Sequence, residues 1–101
     1  MNSSEEKIEW EIVAKKLTAP RLTPEAIDGV IADEQYWIAP GKTLTICVLT
    51  LRNGFTVTGE SACASPDNFD EELGRKIARR NAREKIWPLE GYLLRQRLHD
   101  A

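Results

Sequence analysis

Hydrophobic positions recur along the chain at two periods, and the period changes twice. Between Ser4 and Leu17 the spacing is helical. Ile8, Ile12, Val13 and Leu17 fall on one side, and Glu5 and Glu6 place acidic charge in a first turn, which suits the helix dipole. Pro20 ends this segment. Thr23-Pro24-Glu25 supplies a second start, an N-cap followed by proline at the first helical position, for a short helix carrying Ala26, Ile27, Val30 and Ile31. From residue 35 onward the residues turn β-branched and aromatic. Three strands are predicted: 35–39, 43–52 and 55–61, punctuated by Pro40-Gly41 and Asn53-Gly54. Beyond the loop Ser65-Pro66-Asp67-Asn68 the helical period returns. A helix starts near Asn68 or Asp70, with Glu71 and Glu72 in its first turn and an apolar stripe of Leu73, Ile77, Ala82 and Ile86. Gly74 and Ala78 let a neighbour approach closely. Pro88 either kinks that helix or opens a last one, 89–98, with Leu89, Leu93, Leu94 and Leu98 inward.

Asn53-Gly54 predicts a two-residue type I′ turn with both residues at φ > 0. That turn fixes the register of the hairpin. Arg52 then faces Phe55, Thr50 faces Val57 and Val48 faces Gly59. These residues, continued by Leu44 and Ile46, form the apolar face expected to take a helix. The opposite face mixes Thr45, Cys47 and Glu60 with Leu49, Leu51, Thr56 and Thr58. It is either a subunit contact, a ligand floor or plain solvent-exposed surface. The expected class is α+β: N-terminal helices, a three-stranded antiparallel β-meander, then a kinked basic C-terminal helix.

Composition narrows the function. A chain of 101 residues with 42% apolar and 30% charged residues reads as one globular domain. No apolar run reaches the roughly 18 residues a membrane span needs, and the polar, acidic start is no secretory signal. The host cytosol is the expected location. Cys47 and Cys63 fit neither a metal spacing nor a CxxC motif, so both are expected as reduced thiols. The net charge of −2 conceals an asymmetry: residues 1–74 carry 6 basic and 13 acidic side chains, residues 75–101 carry 8 and 3. Such a dipole steers an anionic ligand to one end or stitches subunits together, unless it is simply a solvated helix face.

Candidate chemistry is sparse. The single histidine, His99, stands three residues from the end, a poor place to hold a base in geometry. No nucleophile–base set, phosphate loop or dinucleotide fingerprint is present, and no metal or cofactor is expected. The acidic group Asp67, Asp70, Glu71 and Glu72 is explained by the helix dipole alone. The lead is the basic helix. Arg75, Arg79 and Arg83 share one face at i, i+4, i+8, Lys76 and Arg80 form a row beside them, and Arg95 and Arg97 come from beyond the kink. Guanidinium forks match phosphate bidentately. Phe69, Trp87 and Tyr92 supply rings nearby, although such residues more often pack a core. Asn68 can meet a base or ribose edge, with helix capping as its alternative use. The candidate ligand set is therefore Asn68, Arg75, Arg79, Arg83 and Arg95, in a pocket completed by the Asn68 loop or by a second subunit. Duplex DNA binding is disfavoured by the acidic total.

The run Cys47 to Ser61, then Asn68-Phe69-Asp70, Gly74, Ala78, Lys85-Ile86-Trp87 and Leu89-Glu90-Gly91-Tyr92-Leu93 resembles a family of small phage proteins. That family is typified by gene product forty-nine of phage N-four and gene sixty-six of phage Sf-six. The resemblance covers about residues 25–98 and implies a family core over 23–101 with 1–22 as a helical extension. The same order of elements is also similar to the phage anti-Thoeris sponges of the first-described type. That similarity implies an anti-defence protein that holds a cyclic ADP-ribose signal, or a cyclic oligonucleotide, without cleaving it. It also implies a homo-oligomer, a dimer or higher, and no enzymatic activity. The competing expectation is a small phage inhibitor of a host protein or nucleic acid.

Overall fold

A computed structural model describes residues 3–101; the first two residues of the polar N-terminal stretch lie outside it. The expected class holds. The order is α1 (Ser3–Ala14), α2 (Pro24–Gly29), β1 (Ile31–Ile38), β2 (Leu44–Leu51), β3 (Thr56–Ala62), α3 (Glu71–Glu84) and α4 (Ile86–Asp100), with a short 3-10 turn at Pro66–Asn68. The strands form one antiparallel sheet in the order β1-β2-β3. Thr23 caps α2, its hydroxyl accepting from the Ala26 N–H at 3.1 Å. Helix α1 closes two residues before a Lys16 held at φ 55. The Lys16 N–H reaches Val13 O and the Leu17 N–H reaches Ile12 O, the paired bonds of a Schellman cap.

The hairpin departs from expectation by one residue. Leu49 faces Val57 and Cys47 faces Gly59. The loop holds three residues instead of two. The Leu51 N–H reaches Phe55 O at 2.7 Å, only Gly54 takes a positive φ (90°), and the Asn53 side chain accepts from the Phe55 N–H at 3.0 Å. A turn with one residue in the left-handed region is the three-residue alternative to type I′. A slip of one residue exchanges the partners of every side chain. The face under the helix is therefore Thr45, Cys47, Leu49 and Leu51, joined by Val57 and Gly59. Leu44, Ile46, Val48 and Thr50, expected there, lie half-buried on the open face.

The core is small: Ile27, Cys47, Leu49, Leu51, Val57, Ala78, Ala82 and Ile86. Helix α3 lies along β2 and β3 on its smallest residues, Gly74, Ala78 and Ala82. Gly59 makes this possible, because a Cβ there would run into the Ala82 N and Ala78 O backbone atoms. The expected stripe was shifted accordingly: Leu73 is 53% exposed and Ile77 half-buried. On α4 Leu89, Leu93 and Leu98 are partly exposed, not inward as expected. Pro88 sits in the first turn of α4, where no intrahelical donor is needed, and the axis from Glu71 to residue 100 bends by 23°.

Candidate functional site

Helix α3 overhangs the sheet, and its sides carry different chemistry. Asp70 caps it, accepting from the Leu73 N–H at 3.0 Å. From there Glu71, Arg75 and Arg79 run along the flank facing β1, while Leu73, Gly74 and Ile77 face the β2–β3 end. Between the first flank and β1 lies a cleft of about 270 Å³, lined by Tyr36, Glu71, Glu72, Arg75, Lys76 and Arg79. The Arg75 guanidinium carbon stands 5.3 Å from the centre of the Tyr36 ring, within cation–π range. Tyr36 belongs to β1 and was not a sequence candidate. Its hydroxyl donates to Glu34 at 3.0 Å, and Glu34 accepts from Arg79 Nε at 2.9 Å. The Arg79 bond, helped by the Tyr36 one, holds the Glu34 carboxyl below the usual range. Burial, then the Glu34 bond, pushes the Tyr36 hydroxyl well up. Burial likewise raises the Cys47 thiol beneath them, which keeps it protonated at neutral pH.

The sequence candidates separate. Arg75 and Arg79 meet in this cleft together with Lys76. Arg83 does not join them. Its guanidinium is closed off by Asp28 at 2.7 Å, by both Glu5 oxygens at 2.9 and 3.1 Å and by Pro24 O at 3.1 Å, leaving the side chain 12% exposed. The Glu5 bond raises its already high pKa further. Arg95 lies exposed on α4, among residues that do not line the cleft. Asn68 falls on the other side of α3. It lines a second hollow of about 120 Å³ with Thr43, Thr45, Ser61 and Asp70 among others. The capping role open to Asn68 belongs to Asp70. Thr45 in that hollow is 1% exposed, and its hydroxyl has no hydrogen-bond partner among the described residues.

The strength of each ion pair sorts what a ligand can displace. Glu71–Arg75 (3.7 Å) and Glu72–Lys76 (3.3 Å) are i, i+4 pairs on exposed side chains, worth about 0.3–0.5 kcal/mol each. A bidentate phosphate contact outweighs them. Arg79–Glu34 is shorter and less exposed, and Arg83 is buried in its bonds. The exchangeable cations are therefore Arg75 and Lys76, with Arg79 behind them. Sequence spacing could not rank the arginines, because the carboxylates that close off Arg79 and Arg83 come from α1, α2 and β1.

Among the described residues no cluster of three or more potential metal ligands occurs, and no helix is long and apolar enough to cross a membrane. Residues 22–98 match the model of the phage protein (N4 Gp49/phage Sf6 gene 66) family. No curated protein and no solved structure matches the chain.

Proposed function

The chain belongs to the phage protein (N4 Gp49/phage Sf6 gene 66) family, and we propose that it sequesters a cyclic nucleotide immune signal without cleaving it. One observation carries the reading: Arg75 stacked on Tyr36 in a cleft whose wall also holds Lys76 and Arg79. This pairs exchangeable cations that can donate hydrogen bonds to phosphate with an aromatic ring. Signals of the cyclic ADP-ribose type offer pyrophosphate to the first and adenine to the second, and cyclic oligonucleotides offer phosphodiesters and bases. Retention without turnover accords with His99 on the exposed last turn of α4 and with the protonated Cys47 thiol.

The test is recovery. Purified protein incubated with cyclic ADP-ribose isomers and cyclic dinucleotides and trinucleotides, then heat-denatured, releases the retained compound unchanged. Arg75→Ala with Lys76→Ala weakens binding about a hundredfold or more, since each charge-assisted contact is worth about 1.5–3 kcal/mol. Arg95→Ala leaves binding as it is. Wild-type affinity in the double variant, or hydrolysed nucleotide in the supernatant, overturns the proposal.

A second reading has its own observation. Trp10 and Val13 on α1 are 76% and 68% exposed, an outward apolar face on the helix that precedes the family-matched residues. It favours an inhibitor that grips a host protein. No binding across the nucleotide panel, with loss of anti-defence activity on Trp10→Ala, supports it.

A further inference from the structure

The two edges of the sheet are treated differently. On β3 the outward-pointing groups include Glu60 O, and Asn81 of α3 covers it with a 2.8 Å hydrogen bond. The edge is thereby blocked at its middle. On β1 the Ala39 N–H bonds Leu44 O, which fixes the alternation: Asp33, Gln35 and Trp37 turn their backbone groups toward β2. Glu34, Tyr36 and Ile38 turn theirs outward, and no described residue bonds them. The ladder is irregular only at Ala32, between Ile31 and Asp33. Beyond that bulge runs an open edge of about 20 Å. Long open edges are normally blunted, because they template pairing with another chain.

We propose that the β1 edge pairs with the β1 edge of a second copy of this chain, joining two three-stranded sheets into one of six. The register follows from the alternation. Two-fold pairing with Tyr36 on the axis brings Tyr36 opposite Tyr36 and Glu34 opposite Ile38. All three outward residues are bonded on each chain, whereas centring on Gln35 would spend one pair on the bulge at Ala32. Along the paired strands no like charges face one another. Glu34 meets Ile38 and is already neutralised by Arg79, and Gln35 meets Trp37 on the open face. Trp37, 56% exposed in one chain, gains cover there.

The cleft is incomplete in one copy, and this pairing completes it. Helix α3 lies over β2 and β3 and leaves β1 as an uncovered shelf. Strands spaced about 4.8 Å apart put the two α3 axes about 19 Å from each other across the dyad, leaving about 9 Å between helix surfaces. The floor of that groove is the two Tyr36 rings. Each wall carries Arg75, Lys76 and Arg79. The pairing stands without the nucleotide reading; only the occupant of the groove rests on it. A phosphorylated ring compound would then be held from both sides.

Sedimentation velocity at tens of micromolar, without nucleotide, tests the pairing. The wild-type chain is expected as a dimer. Ile38→Pro removes an N–H that the sheet itself does not use and sets a ring on the edge. Trp37→Lys places two lysines across the dyad. Both are expected as folded monomers, and if the proline variant loses its circular dichroism spectrum the Trp37 variant decides. A monomeric wild type, or a folded variant that stays dimeric, overturns the proposal. Titration with cyclic ADP-ribose isomers separates the two readings. A dimer that binds none of them sinks the nucleotide function and leaves the pairing standing. Monomeric variants that bind one as tightly as wild type overturn the shared groove; a loss of tenfold or more supports it.

Discussion

At the scale of single residues, the closest packing is made by atoms that are missing. The ideal Cβ of an alanine at 59 would sit inside the Ala82 N and Ala78 O atoms, which are helix backbone and cannot rotate away. At 74 the obstacle is different: the nearest atom is the Thr45 hydroxyl oxygen, 2.9 Å off, and nothing else lies closer than 3.6 Å. Gly59→Ala should therefore cost about 3 kcal/mol or more, by forcing helix and sheet apart. Gly74→Ala should be near neutral, as the gain in helix propensity of about 1 kcal/mol offsets the contact with Thr45. In a Thr45→Ala background that contact is gone, along with a buried hydroxyl that has no partner among the described residues, so Gly74→Ala should turn stabilising. Urea denaturation of the four chains measures the coupling. Additive values would mean that Thr45 is not what resists a side chain at 74.

Among elements, the hairpin shows what sequence could and could not supply. The two β-branched runs and the Asn-Gly pair located β2, β3 and the turn between them to within a residue or two. They did not set the loop length. Asn-Gly serves a two-residue turn at both positions, yet also a three-residue turn in which Gly54 alone goes left-handed and Asn53 braces Phe55. The deciding energy is not local. Only the observed register puts Val57 and Gly59 on the same face as Cys47 and Leu49, where Ala78 and Ala82 can descend on the glycine. The start of β1 was missed for a related reason: Ala32, Asp33 and Glu34 carry no strand pattern and pair through a bulge against β2. The cleft was half legible. Helical spacing put Arg75 and Arg79 on one flank, but Tyr36 and Glu34 reach it only through the fold. Arg83 was legible as a charge and not as a clasp. It ties α3 to α2 and α1 through Asp28, Pro24 and Glu5, while Arg21 and Glu9 make a second tie at 2.7 Å. Because its head group is mostly buried, Arg83→Leu should cost about 3 kcal/mol, the range for breaking such a bridge from one side. It should also free α1 first. Limited proteolysis then cuts within 4–17 well before the sheet; an unchanged cleavage pattern would show that α1 is held by something else.

On the scale of the whole molecule, the shape is thin and long, 51 × 31 × 18 Å, with a radius of gyration of 16.3 Å. A compact chain of this length would have about 13 Å. Helix α3 on one face of a single sheet gives the thin dimension, and α3 with α4, which follow one another from 71 to 100, give the long one at about 45 Å. The charge asymmetry of the sequence is partly spent inside that shape. Arg79 and Arg83 from the basic half close onto Glu34, Asp28 and Glu5 from the acidic half, across 45, 55 and 78 residues of chain. These contacts link the sheet and the N-terminal helices to α3, so the fold should respond to acid. Glu34 is the group through which the response can be read. Its carboxyl is depressed below the ordinary value of 4.5 by the Arg79 bond first and the Tyr36 bond after it, against the opposing effect of burial. A depressed carboxylate contributes its stability in full above the unfolded value and loses it as pH falls through the folded one. Wild-type thermal midpoints should therefore hold level from pH 7 to about 5 and then drop. Glu34→Gln should begin lower at pH 7, because Arg79 loses its charged partner. The variant should then fall less steeply below pH 4.5, so that the two curves converge in acid. The side chain is 42% exposed, so added salt should shrink the gap at pH 7. Parallel curves with a constant offset would mean that the Glu34 pairing with Arg79 adds nothing to stability.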